Sequence, residues 1–308
     1  MSSVECRVSR DTCRAFTLVE ILVVVVLLSF IVLALMAVFS GTQAAFRSSV
    51  TQSDVLESGR SVMGLVKSDL EAIAPSFGAT NGAVNFSVTN NFWQYQSNND
   101  PLVQTLTGTV GPTSQRTNVL ESFFILTRQN TTWTGVGYVV DTASTKYLNP
   151  LYRFSLSTNV MAVSPAELYA RFATNAISPI SPTNPLMSHL VDGVVHLTVR
   201  AFDINGRWVT NVINFYNPGQ PNNTVVRNTW FSPPTLGEVG FYMFSNTLPA
   251  SVEIELGVLE DRPLQRAESL PDGAPLWTRS NYLAQQVGKV HLFRQRVPIR
   301  NVDPSAYQ

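Results

Sequence analysis

The hydrophobic pattern divides the chain into an N-terminal helical part and a strand-rich remainder. Residues 21–39 form an apolar run in which Ser29 is the only polar member. At 1.5 Å of rise per residue, a helix of this length crosses the roughly 30 Å hydrocarbon layer of a membrane. We therefore predict a membrane-spanning helix at residues 16–40.

A second helical pattern follows the apolar run. Between residues 55 and 73, apolar residues recur at helical spacing with charged residues between them, until Pro75 interrupts the pattern. This spacing predicts that residues 41–75 continue the same helix in amphipathic form, with one face packed on a head. The apolar stripe consists of Val55, Leu56, Val62, Met63, Val66, Leu70 and Ile73.

The remaining residues, 76–308, favour strands and loops. Asn, Ser, Thr, Gly and Gln dominate residues 76–116, and Pro and Asn dominate residues 217–234, so both segments are predicted to be loops or irregular insertions. The aromatic residues Phe92, Trp93 and Tyr95 are expected to pin the first loop to the head. Alternating apolar and polar residues predict strands at residues 119–127, 135–141, 151–156, 194–203, 207–215, 252–258 and 290–299.

The order of these elements predicts the fold class. Asn205-Gly206 is a favoured hairpin dipeptide, and it joins two of the predicted strands. A long helix followed by mainly antiparallel strands is typical of an α+β fold in which a sheet packs on the helix. We predict a β-rich head at residues 76–308, packed on the amphipathic half of the helix.

The charge balance and the sequence motifs limit the classes of function that the chain can be predicted to have. The chain has 21 basic and 21 acidic residues, a balance that does not indicate nucleic-acid binding by bulk charge. Both cysteines, Cys6 and Cys13, precede residue 16, so a chain that begins there contains no thiol. No P-loop, Gly-x-Ser-x-Gly or His-Glu-x-x-His string occurs. We predict no enzymatic activity and no cofactor.

The candidate metal ligands and carboxylates are scattered. His189, His196 and His291 lack metal-ligand spacing, and His196 is predicted to lie on the polar face of a strand. Glu253 and Glu255 are two residues apart on one strand and are predicted to be solvated surface charges. No calcium loop with closely spaced Asp and Asn residues is present, and we predict no metal site.

The segment before the apolar run bears on processing and topology. It carries Arg7, Arg10 and Arg14 and has no apolar stretch, and no small-residue cleavage site follows residues 21–39. Any cut is therefore expected before the apolar run. An uncleaved signal anchor, with Arg14 on the cytoplasmic side, is the alternative that these features leave open.

Residues 15–20, Ala-Phe-Thr-Leu-Val-Glu, resemble the type IV prepilin cleavage and methylation motif, in which glycine usually stands at the position of Ala15. The resemblance implies that prepilin peptidase cuts before Phe16 and methylates the new amine. It also implies that Glu20 attracts the amino terminus of a neighbouring subunit during filament assembly. A carboxylate at the edge of an apolar helix is a functional candidate on physical grounds, unless it simply reaches the lipid headgroups.

A looser resemblance covers the head. Several short motifs occur in the order seen in J-type minor pseudopilins of type II secretion and in W-type minor pilins. The Asn-rich insertions depart from that pattern, so a resemblance to the pilin-like proteins of Verru_Chthon cassettes stays an open alternative. The motifs are Arg60, Ser68-Asp69-Leu70, Leu151-Tyr152-Arg153, Asp192-Gly193-Val194, Asn205-Gly206-Arg207-Trp208 and the segment 248–254.

Together the resemblances imply a non-enzymatic minor pilin or pseudopilin with a leader at residues 1–15. It would lie in the inner membrane with its N-terminus in the cytoplasm and its head outside, and it would assemble into or at the tip of a type II secretion pseudopilus or type IV pilus. The implied partners are prepilin peptidase/methyltransferase, other pilins, the inner-membrane assembly platform and membrane lipid. The alternatives are a surface pilin acting in adhesion or DNA uptake, and a signal-anchored exported protein such as an enzyme.

Overall fold

The computed structural model describes residues 17–76, 83–90, 104–105, 115–116, 119–144, 148–159, 165–209, 222–226, 240–270, 279, 282–283 and 285–304. Within these ranges, the residues up to Val50 and those from Thr51 onward form two compact units. The predicted aromatic cluster at residues 92–95 and the predicted strand residues 210–215 lie outside the described part of the chain.

Helix α1 (Leu18–Glu71) contains 54 residues. The described side chains of residues 18–50 are exposed, whereas the amphipathic stripe from Val55 onward is buried, with Leu56 only half-buried. The helix ends one turn before the predicted limit at residue 75. Beyond Glu71 the backbone pairs with another segment instead of continuing the helix: Ile73 bridges Thr127, and the Ala74 N–H donates to the Leu126 carbonyl at 2.9 Å.

Within the described residues, the remaining elements are mainly antiparallel strands, with two short α-helices and a 3-10 turn (Val287–Lys289). The helices are α2 (Ala166–Asn175) and α3 (Asp261–Ser269). The strands are β1 (Val84–Asn90), β2 (Gln104–Thr105), β3 (Gln115–Arg116), β4 (Glu121–Gln129), β5 (Thr132–Val140), β6 (Leu151–Asn159), β7 (Met187–Val191), β8 (Val194–Phe202), β9 (Asn222–Val226), β10 (Phe241–Ser245), β11 (Ser251–Leu259) and β12 (Val290–Pro298).

The strands form two main sheets within the described residues. Seven strands pair in the order β7-β6-β5-β4-β1-β10-β9, three pair in the order β12-β11-β8, and β2 pairs with β3. Alternate residues of β4 face different cores: Phe123 and Ile125 pack with the buried stripe of α1, whereas Phe124 and Leu126 pack with α2. The large sheet is thus covered on both faces, and the predicted α+β architecture is confirmed.

Several elements were not predicted. Strands β1, β2 and β3 lie inside the first segment that was expected to be a loop, and β9 lies inside the second, so the loop predictions were wrong at these strands. No sequence prediction covered β7, β10, α2 or α3. The hairpin turn at Asn205-Gly206 is present, with Gly206 at φ +74° and a bridge between Phe202 and Trp208. Beyond residue 209 its second strand lies outside the described residues.

Two predictions of solvated polar residues were wrong. His196 retains only 4% exposure, because the chain entering β4 runs beside β8, where Leu120 bridges Leu197 and the Val119 N–H donates to His196 Nδ1 at 3.2 Å. Glu255 retains 7% exposure on the same face of the three-stranded sheet. Glu253 is held by Arg294 at 2.7 Å and lies 3.9 Å from Arg200, so it is an ion-pair centre rather than a free surface charge.

Candidate assembly site

The described structure begins at Thr17, one residue beyond Phe16, the first residue after the predicted cleavage junction. Ala15 and Phe16 lie outside the described residues, and their roles in cleavage and methylation stay predictions. Glu20 lies in the first turn of α1, where its hydrogen-bond partners are defined.

Glu20 and Thr17 cap the start of α1 reciprocally. The backbone N–H and the hydroxyl of Thr17 each donate to Glu20 Oε2 at 3.0 Å, and the Glu20 N–H donates to Thr17 Oγ1 at 3.3 Å. The first N–H groups of a helix have no partner within the helix, and a Thr-x-x-Glu pair satisfies two of them. Glu20 therefore has a local bonding role that sequence reasoning missed, although the Thr-x-x-Glu spacing signals it.

The apolar part of α1 presents a continuous hydrocarbon surface. Its large side chains are roughly half to two-thirds exposed, and by length and composition the helix can cross a membrane. Its hydroxyl groups bond to their own helix: Ser29 Oγ donates to the Val25 carbonyl at 2.8 Å, and Thr42 Oγ1 donates to the Val38 carbonyl at 2.9 Å. These bonds satisfy polar groups that would otherwise be costly in lipid.

An ion pair ties the amphipathic half of α1 to the sheet. Arg153 of β6 donates from Nε to Asp69 Oδ2 at 2.8 Å and from Nη2 to Asp69 Oδ1 at 2.9 Å, and the Tyr138 hydroxyl of β5 donates to the same carboxylate. The hydrogen bond to Asp69 raises the pKa of Arg153, against the opposing effect of burial. Burial, together with the Asp69 charge, raises the pKa of Tyr138.

The head motifs of the looser resemblance occupy different places in the fold. Asp69 and Arg153 meet, which the sequence order alone did not show. Gly193 makes the β7–β8 turn at φ +71° and donates its N–H to the Leu148 carbonyl at 2.7 Å, while residues 248–250 lead into β11. These motifs therefore supply turns and a helix–sheet contact rather than one convergent pocket.

Metal-ligand groups do not cluster in the described part of the chain. There, no set of three or more His, Cys, Asp or Glu side chains is placed to hold an ion. His291 instead contacts Glu260 at 3.0 Å, and His189 contacts Asp192 at 2.7 Å.

Comparison with known families identifies the N-terminal segment. Residues 10–36 match the family described as the prokaryotic N-terminal methylation motif, a range that contains the predicted junction, Glu20 and most of the apolar run. No curated protein matches the chain. In this match, and in the long apolar helix that overlaps it, the N-terminal segment resembles that of type IV prepilin-like proteins.

Proposed function

We propose that the chain is a non-enzymatic pilin or pseudopilin subunit, assembled into or at the tip of a type II secretion pseudopilus or type IV pilus. Prepilin peptidase would cut between Ala15 and Phe16 and methylate the new amine. The match over residues 10–36 carries this proposal, because it covers the junction and Glu20. The head would then provide contacts to neighbouring subunits and to the inner-membrane assembly platform.

The physical basis of assembly is the exchange of lipid for protein around the apolar helix. Its exposed side chains contact hydrocarbon equally well in a bilayer or in a bundle of like helices, so transfer between the two involves little loss of apolar burial. Glu20 is the exception, since an ionised carboxylate inside a bundle requires a partner. The amine created at Phe16 by cleavage is a suitable partner on a neighbouring subunit.

The chemistry of the N-terminus tests processing directly. In cells with an active prepilin peptidase, mass spectrometry should find a chain that begins with N-methyl phenylalanine at Phe16. A matched strain without the peptidase should retain residues 1–15. Recovery of the intact N-terminus from the peptidase-positive strain would contradict the proposal.

Substitutions at Glu20 and Thr17 separate its two roles. Glu20→Gln keeps a side-chain oxygen that can accept the Thr17 hydrogen bonds but removes the charge. Thr17→Val keeps the charge and the backbone bond from Thr17 to Glu20 but removes the two bonds of the cap that use the Thr17 hydroxyl. If the charge pairs with a neighbouring amine, Glu20→Gln and Glu20→Ala should both lower incorporation into filaments about tenfold or more, with membrane insertion unchanged.

Thr17→Val is the matched control, and we expect it to assemble close to wild-type levels. Incorporation is measured as the ratio of subunit in sheared filaments to subunit in membranes. Normal incorporation of Glu20→Gln together with loss in Thr17→Val would show that capping, not charge, is what assembly requires.

A further inference from the structure

A groove follows the free edge of strand β12 where that strand passes α1. It has a volume of about 410 Å³ and is lined by residues 292–295 of β12 and by Arg60, Met63, Gly64 and Lys67 of α1. Successive side chains of a strand point to opposite faces, so a groove lined by four consecutive residues lies along the edge of the strand. Both walls are about 10 Å long at the rises of a strand and a helix.

The backbone of β12 has unused hydrogen-bonding groups on the groove side. Within the described residues, β12 is the outer strand of its three-stranded sheet. At its two ends, the Ile299 N–H donates to the Ala250 carbonyl and the Glu260 N–H donates to the Lys289 carbonyl, both at 3.0 Å. Odd-numbered residues therefore bond across the β11–β12 register, and even-numbered residues turn their N–H and carbonyl groups to the free edge. Those with a free N–H beside or near the groove are Leu292, Arg294 and Arg296.

The arginine side chains of β12 leave this edge accessible. They project from the sheet face away from α1 and reach back over the sheet: Arg294 donates to Glu253 at 2.7 Å, and Arg296 donates to Ser251 Oγ at 2.9 Å. The Arg296 guanidinium also lies 3.9 Å from the centre of the Phe202 ring. Neither side chain occupies the position of a further strand.

The helix leaves space for such a strand at Gly64. A Cβ atom built there would meet no atom within 4 Å, whereas one built at Gly59 would lie 2.3 Å from the Phe293 ring. The helix therefore packs tightly on β12 at Gly59 and is open beside the strand edge at Gly64. Arg60 and Lys67 lie about one turn to either side of Gly64, and both are exposed.

Charge selects the occupant. The described residues that line the groove include three cations and no carboxylate. Lys67 lies 3.9 Å from Glu71 in an exposed pair that contributes little, and Glu57 and Glu71 lie about one turn beyond the two ends of the groove. Pairing of two copies through β12 would bring Arg294 and Arg296 of both copies together, and like charges on neighbouring strands repel. An acidic strand of a different protein is the matching occupant.

We propose that β12 accepts an extended acidic segment of another protein as an additional strand. The backbone of that segment pairs with the free edge of β12. Its side chains on the α1 side place a small residue over Gly64 and carboxylates beside Arg60 and Lys67. Main-chain hydrogen bonds supply affinity and the charges supply selectivity. This contact requires neither cleavage at Phe16 nor filament assembly, so it goes beyond the proposed function.

Binding of a labelled peptide to the full chain in detergent tests this contact. The probe is a capped peptide, Thr-Glu-Val-Ala-Val-Glu-Thr, whose Glu, Ala and Glu side chains share one face. Fluorescence anisotropy should show saturable binding with a Kd below about 1 mM. The same peptide with Lys at both Glu positions is the matched control and should bind about tenfold or more weakly. No binding of the acidic peptide, or equal binding of the two, would overturn the proposal.

Methylation of the peptide backbone distinguishes strand addition from a purely ionic contact. One peptide carries N-methyl groups on both Val residues, and the other carries them on Ala and the second Glu, so the two lose donors on opposite edges. One of them should lose binding and the other should keep it, because only one edge faces β12. Equal affinities of the two methylated peptides would contradict strand pairing. This readout needs no change in the protein and is independent of any effect of a variant on folding.

Substitutions on the two walls locate the site. Arg60→Glu with Lys67→Glu should weaken binding of the acidic peptide about tenfold or more and strengthen binding of the Lys peptide. Arg171→Glu with Arg262→Glu makes the same charge change at exposed positions of α2 and α3 and should leave both affinities within about twofold.

Leu292→Pro removes an N–H at the free edge and should bind the acidic peptide about threefold or more weakly than Leu292→Ala, which keeps that N–H. Wild-type affinity in the variant Arg60→Glu with Lys67→Glu, or equal affinities of the two Leu292 variants, would place the peptide elsewhere and refute the site.

Discussion

Replacing Arg153 by leucine should destabilise the head strongly, because it leaves the Asp69 carboxylate without its bidentate partner. The pair is largely buried, with side-chain exposures of 21% for Arg153 and 14% for Asp69. Removing one member of a fully buried pair costs about 3–5 kcal/mol, and the residual exposure here lowers the expected loss to about 2–4 kcal/mol. Asp69→Leu should cost a similar amount, since it also deprives Tyr138 of its acceptor.

The double variant Asp69→Leu/Arg153→Leu leaves neither charge unpaired, so it should lose about 2 kcal/mol less than the sum of the single losses. Denaturant unfolding of the full chain in detergent can measure this, because all five tryptophans lie beyond residue 90 and report on the head. Lys67→Ala is the control: it breaks an exposed pair and should cost less than about 0.5 kcal/mol. Additive losses for the two single variants would refute the coupled ion pair.

Two further predictions concern Tyr138 and the glycines of α1. Folding raises the pKa of Tyr138 above its unfolded value of about 10, so neutral Tyr138 stabilises the head below about pH 10. This contribution is lost as the pH rises further. The Tyr138→Phe variant should therefore lose less stability with rising alkaline pH than the wild type, by up to about 1.4 kcal/mol per pH unit. A wild-type slope in Tyr138→Phe would contradict this. Gly64→Ala should raise the stability of the head by about 0.5–1 kcal/mol. Gly59→Ala should be less stable than Gly64→Ala by about 1–3 kcal/mol, because its Cβ displaces the Phe293 ring; equal unfolding midpoints would refute the close approach.

The helices and strands whose apolar spacing repeats over many residues were predictable from sequence. The helix α1 and strands such as β8 and β11 repeat their apolar spacing over many residues, so the pattern outweighs local composition. Strand β1 was missed for the opposite reason. Its alternation covers only seven residues within a polar segment, and its polar members Asn85 and Ser87 are buried because β1 lies between β4 and β10.

Tertiary contacts explain the other misses. Helix α2 buries only Leu168 and Phe172, and Phe172 packs where Gly137 of β5 has no side chain. Nothing in the α2 sequence alone indicates that partner. The same limit applies to the sites: the Thr17–Glu20 cap is local and readable from spacing, whereas Asp69 and Arg153 are 84 residues apart and meet only after folding.

The inward bonding of Ser29 and Thr42 has a consequence for how neighbouring helices find their alignment. With their protons donated to carbonyls of the same helix, these hydroxyls keep only the capacity to accept a hydrogen bond from an adjacent helix. In a bundle of like helices they would donate no hydrogen bond that fixes one vertical offset. The offset would then depend on how the apolar side chains of neighbouring helices pack together.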